Sequence, residues 1–143
     1  MSEYGAVLAL LDGLHECQSR LYDFANDLLV WSDFAGDVEL DHSFLIGPVE
    51  GGGMEVKLAH HFGIRPGSEV YLVVSVRVFD TFCVADTTVR ADLGEHLGRL
   101  GPGAHTLYAT GGDAIALADV VKALHAEVDA LTGAGNPLAP LTP

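Results

Sequence analysis

EVYLVVSVRVFDTFCVADTTVR, residues 69–90, is the longest apolar and strand-prone run in the chain. Valine, phenylalanine and threonine dominate it, and these residues suit a pleated, half-buried surface. The polar pair Asp80-Thr81 sits at its centre. The spacing predicts two antiparallel strands joined by a two-residue turn there, with Phe79 facing Phe82 and Val78 facing Cys83. Side chains alternate along a strand. Val70, Leu72, Val74, Val76 and Val78 therefore share a face with Cys83, Ala85, Thr87 and Val89. A valine row beside small residues leaves room for a helix to lie across it. The other face takes Tyr71, Val73, Ser75, Arg77, Phe79, Phe82, Val84, Asp86, Thr88 and Arg90, with Arg77 diagonal to Asp86. Asp-Thr is not the favoured Asn-Gly turn, and a one-residue slip would exchange the two faces.

Upstream of this hairpin, residues 2–30 read as a long helix. Val7, Leu10, Leu11, Leu14, Cys17, Leu21, Phe24, Leu28 and Leu29 recur at helical spacing and form a broad apolar stripe. Gly5 and Gly13 each weaken a helix by up to ~1 kcal/mol relative to alanine, unless they let another element approach. Trp31 and Phe34 lie in the exit loop, where they close one end of the core or stack on a ligand. Residues 37–46 and 54–62 alternate as strands, with Val38, Leu40, His42, Phe44 and Ile46 on one apolar face and Met54, Val56, Leu58, His60 and Phe62 on the other strand's. Gly47-Pro48 is expected to stop the first strand. The register expected for this pair sets Ile46 opposite Met54 and His42 opposite Leu58. The Gly51-Gly52-Gly53 tip lacks the lysine and hydroxyl of a phosphate loop.

Downstream, Asp92 with Glu95 forms a capping-box pattern that predicts a short helix through Leu100. A shorter strand over 104–110 follows, then a break at Gly111-Gly112. Asp113 is the expected cap of a final helix ending at Gly133. Residues 134–143 are proline-rich and read as a disordered tail. The expectation is one α+β domain over 1–133. It has an antiparallel sheet of about five strands, a four-strand meander plus one, flanked by a long N-terminal helix, a short helix and a C-terminal helix. A chain of 143 residues, 49% hydrophobic, can bury roughly 68% of its unfolded surface. Cys17 and Cys83, the only cysteines, lack metal-ligand spacing and read as buried free thiols of a reducing cytoplasm. Neither a membrane span nor a signal segment is expected.

Charge is the strongest global signal. Residues 1–50 hold ten acids against the single base Arg20, a balance of −9 within a total of −13. Such a chain repels nucleic acid and anionic membrane and attracts a basic partner. Asp12, Glu16, Asp23 and Asp27 are spaced to share one side of the helix, opposite the apolar stripe, with Arg20 near Glu16 and Asp23. That row is the candidate docking surface. Tyr71, Phe79, Phe82 and Val84, on the second face of the central hairpin, are the candidate homodimer or partner contact.

No catalytic or cofactor motif is present. His42 and His60 are the best candidates for chemistry: on the register above they are diagonal neighbours, roughly 7–8 Å apart at the backbone. A catalytic zinc needs a third protein ligand, and none is evident, so no metal or cofactor is assigned. The function class expected is a small, acidic, cytoplasmic, non-catalytic protein-binding module, immunity-like or chaperone-like, forming a homodimer. Its element order and charge are generically like those of small bacterial secretion chaperones and toxin-immunity proteins, without a motif that ties it to a family. The alternative is a small-ligand binder or enzyme with a pocket between sheet and N-terminal helix, lined by Trp31, His42, Phe44 and His60.

Overall fold

A computed structural model describes residues 3–32, 39–65 and 67–141. Helix α1 (Glu3–Ser32) precedes five strands, β1 (Glu39–Pro48), β2 (Met54–Arg65), β3 (Ser68–Val78), β4 (Phe82–Leu93) and β5 (Gly103–Ala116). A 3-10 turn at Leu117–Asp119 leads into helix α2 (Val120–Gly133), and a second such turn covers Ala139–Leu141. The strands form one antiparallel sheet in chain order, β1-β2-β3-β4-β5. Both helices lie on one face of it. No helix among the described residues is long and apolar enough to cross a membrane.

The β3–β4 hairpin has the expected register, with Val78 opposite Cys83. Phe79 N donates to Phe82 O at 2.9 Å and closes the turn. Val70, Leu72, Val74 and Val76, with Cys83, Ala85, Thr87 and Val89 beside them, are buried under the helices. On the far face Arg77 reaches Asp86 at 3.2 Å, and Ser75 Oγ donates to the same carboxylate at 2.7 Å. Leu14, Cys17, Leu21, Phe24 and Leu28 of α1 complete the core with Leu124, Val128 and Leu131 of α2.

Gly13 lets the two helices meet. A Cβ there would stand 2.7 Å from Val121 Cγ1, closer than real contacts allow. The helical cost of this glycine is thus offset by packing. α1 lies chiefly against α2 and touches β2, while α2 covers β3, β4 and β5. Glu127 of α2 fixes that placement by accepting from Thr87 Oγ1 at 2.9 Å and Thr110 Oγ1 at 2.7 Å.

Four expectations change. The short helix over 92–100 is absent. Asp92 lies in β4, and Leu97 bridges Leu100 within an irregular turn. Glycines at 94, 98 and 101 disfavour a helix there, and Gly98 has φ +58 with no room for a Cβ beside Pro140 and Leu141. The fifth strand runs on through Gly111-Gly112, whose positive φ values make a bulge against β4 in place of a break. Asp113 is consequently a strand residue, and α2 starts at Val120. Finally, the first hairpin is shifted by two residues, so that Pro48 pairs Met54, Ile46 pairs Val56 and His42 stands directly opposite His60. Proline is tolerated because β1 is an edge strand.

Residues 134–141, set aside above as a tail, lie on the core. Leu138 and Leu141 are fully buried, and Arg99 N donates to Pro140 O at 2.8 Å. Deleting the side chain of a buried leucine costs about 2–5 kcal/mol. Chemical denaturation of Leu21→Ala and Leu138→Ala should each show a loss in that range. A loss below about 1 kcal/mol for Leu138→Ala would mean that the tail does not pack on the core.

Candidate functional site

Helices α1 and α2 together cover the sheet from β2 to β5, and β1 is left over. The core-side face of β1 carries His42, Phe44 and Ile46, continued on β2 by Met54 and Val56, since partners in register share a face. Phe44 is 39% exposed, Ile46 62% and Met54 49%. The flank of α1 that looks towards this strip carries Val7, Leu11, Gln18 and Tyr22, spaced by four, seven and four residues and so within about 60° of one another. Val7 and Leu11 are each 54% exposed. Tyr22 meets His42 edge-to-face with ring centroids 5.4 Å apart, which anchors this flank against β1. Exposed apolar side chains thus stand on this flank of α1 and on the strip of β1 and β2. Where Tyr22 meets His42 there is a recess of about 300 Å³ lined by His15, Gln18, Ser19, Tyr22, Asp23 and His42. A separate apolar hollow of about 450 Å³ lies near the start of α1, lined by Val7, Leu10, Val78, Leu117 and Val121 among others.

Asp12, Glu16, Asp23 and Asp27 of α1 are all exposed. Arg20 turns away from them to Asp129 and His125 of α2. His125 also stands 3.8 Å from Glu16, leaving Asp12, Asp23 and Asp27 as acids of the exposed side of α1, of which Asp23 lines the recess. The expected pocket residues part company. His42 and His60 come together with ring centroids 6.2 Å apart, and Phe44 lies on the same face. The side chain of Trp31, like Phe34, lies outside the described residues.

His60 is 1% exposed, and neither ring nitrogen has a hydrogen-bond partner. Burial, with His42 beside it, pulls its pKa from 6.5 down to about 4. It is therefore a neutral imidazole at neutral pH. No three His, Cys, Asp or Glu side chains converge as a metal cluster among the described residues. Burial pushes the Cys17 thiol up to about 11, so the cysteine nearest His125 is not a thiolate.

The second face of the central hairpin does not form one apolar patch. Phe79 and Phe82 stack at the turn, 4.8 Å apart. Tyr71 stacks on His61 at the other end, also at 4.8 Å, with the Arg90 guanidinium 5.5 Å above its ring. Eight residues of strand, about 26 Å, separate the two clusters. Between them lies a charged trough with Lys57, Arg77 and Asp86 in its lining. Val84 is buried.

No family model matches the chain, and no curated protein or solved structure is significantly similar to it.

Sequence reading missed Val7 and Leu11 as exposed residues by assigning both to the core stripe. The signal was the stripe's width: from Phe24 round to Leu11 it spans about 140°, wider than the roughly 100° that one packed face needs. Tyr22, His15 and Gln18 gave no signal, because nothing in the sequence says which strand the helix flank meets.

His60 makes stability pH-dependent. Below pH 6.5 the unfolded chain protonates this histidine, whereas the folded chain holds it neutral down to about 4. The unfolded state then binds more protons, so stability falls with pH across that window, by about 3 kcal/mol in full. Denaturant titrations at neutral and acid pH should show this loss in the wild type and a smaller one in His60→Leu. Equal losses in both would remove His60 as the cause.

Proposed function

We propose that the chain is a non-catalytic protein-binding module that takes a basic amphipathic helix between α1 and β1. The exposure of Val7 and Leu11 on one flank of α1, and of Phe44, Ile46 and Met54 on the core-side face of β1 and β2, carries this reading. An isolated exposed apolar residue is ordinary, whereas a contiguous, rimmed strip marks an interaction site. A helix laid there buries residues spaced i, i+3, i+4 and i+7 against the strip. Its outward residues then meet Asp12, Asp23 and Asp27. The net charge of −13, concentrated in the first third of the chain, supports a Lys- and Arg-rich partner and disfavours nucleic acid. Such a binder corresponds to an immunity-like inhibitor or a chaperone-like holder of a basic segment, acting in the cytoplasm. A small-ligand pocket at Tyr22, His42 and His60 is the second reading, favoured by the unpartnered nitrogens of His60.

Fluorescence anisotropy tests the first reading with a synthetic Leu/Lys amphipathic helix and a scrambled peptide of identical composition. The amphipathic peptide should bind in preference, and added salt should weaken it. Leu11→Glu should raise its dissociation constant by about tenfold or more, the equivalent of 1.4 kcal/mol. Asp23→Lys with Asp27→Lys should flatten the salt dependence. Equal binding of the two peptides would show attraction by net charge alone and contradict docking between α1 and β1.

A further inference from the structure

The sheet ends in β1 on one side and β5 on the other, and the two edges differ. β5 is shifted in register twice against β4 and has left-handed glycines at 103, 111 and 112. Bulges of this kind twist an edge and block further pairing. β1 has no such protection. It pairs β2 from Glu39 to Pro48 without a shift, and it contains neither lysine nor arginine. Its centre, Phe44-Leu45-Ile46, is apolar and exposed on both faces.

The direction of its free hydrogen-bonding groups follows from the hairpin. Val49 N donates to Gly53 O at 2.9 Å. Bonded pairs alternate along an antiparallel ladder, so Gly47, Leu45 and Ser43 bond to β2. Ile46, Phe44 and His42 then turn N–H and C=O outward to the open edge. We infer that β1 pairs antiparallel with β1 of a second copy, about a two-fold axis that sets Phe44 opposite the partner's Phe44. Two five-stranded sheets become one continuous sheet.

The register follows from side chains and charge. With Phe44 on the axis, Ile46 faces the partner's His42, Leu45 faces the partner's Ser43, and Asp41 faces the partner's Gly47. No acid stands opposite an acid. An axis at Asp41 would oppose like charges, which destabilises a cross-strand pair. An axis at Ser43 would set Asp41 against the partner's apolar Leu45, and an axis at Leu45 would place Pro48, which has no N–H, in a bonded pair with the partner's His42. The second copy is the occupant the strand itself specifies, because the segment complements its own sequence when reversed. This inference stands apart from the helix-binding reading, though the dimer would lay the two apolar strips side by side between two α1 helices. Their salt responses are opposite. Protomers of charge −13 repel, so salt should tighten the dimer while loosening a basic peptide.

Sedimentation velocity over a concentration series tests the dimer, and cysteine cross-linking tests its register. The wild type should be a dimer that tightens with salt. Ile46→Lys, at an exposed site, should keep the wild-type circular dichroism and melting temperature and raise the dissociation constant by about tenfold or more. Phe44→Cys should form a disulfide-linked dimer under mild oxidation. Bonded antiparallel pairs hold Cα atoms about 5.5 Å apart, within disulfide reach, and native Cys17 and Cys83 are buried. His42→Cys should link far more slowly, since its copy lies four residues along, about 14 Å away. A monomer at every concentration would overturn the inference. So would equal cross-linking at 42 and 44, or a dimer that Val84→Asp dissociates and Ile46→Lys leaves intact. If Ile46→Lys fails to fold, the comparison of cysteines at 42 and 44 still decides.

Discussion

The contact between Gly13 and Val121 is the constraint on which the arrangement depends. With no side chain at position 13, α1 approaches α2 to within the depth of a methyl group. α2 cannot yield, because Glu127 ties it to Thr87 on β4 and Thr110 on β5. The pair therefore sits over β2 to β5, and a two-helix layer is too narrow to cover β1 as well. A larger residue at position 13 would have to displace Val121 or push the two helices apart.

Polarity around the recess follows from the same placement. His60 is far enough under α1 to lose solvent, and His42, its register partner at the edge, keeps it. One imidazole is thereby held neutral next to another that faces water. Arg20, the single base near the acidic side chains of α1, is drawn to Asp129 across the helix pair. The exposed side of α1 is left acidic beside the apolar strip, and these are the two features that the proposed docking surface would use together.

The central hairpin was legible because its valine alternation and its turn agreed, and the Arg77–Asp86 diagonal followed from them. The α+β class and the two long helices were legible from periodicity. The register of the first hairpin was not. Glycines at 51–53 permit several loop lengths, and Pro48 gives no sign that an edge strand tolerates it. The pairing of His42 with His60 survived that slip by two because parity, not exact register, decides the shared face. Residues 92–100 misled through a capping-box pattern whose glycines outweigh it. Leu138 and Leu141 were hidden among prolines, where composition suggests disorder and only the tertiary fold supplies a surface to bury them. The exposed apolar flank of α1 was visible only as an apolar stripe too wide for one face.

The central claim is that the core-side face of β1 stands bare. The chain contains three isoleucines, Ile46, Ile64 and Ile115, and their burial differs: Ile64 is fully buried, Ile115 half-buried and Ile46 exposed. With isoleucine δ1-methyl labelling, a soluble gadolinium chelate will broaden each methyl signal according to its access to solvent. The account predicts that Ile46 broadens first and strongly, Ile115 next, and Ile64 last. An Ile46 methyl as protected as that of Ile64 would show that the strip is covered and would contradict the account.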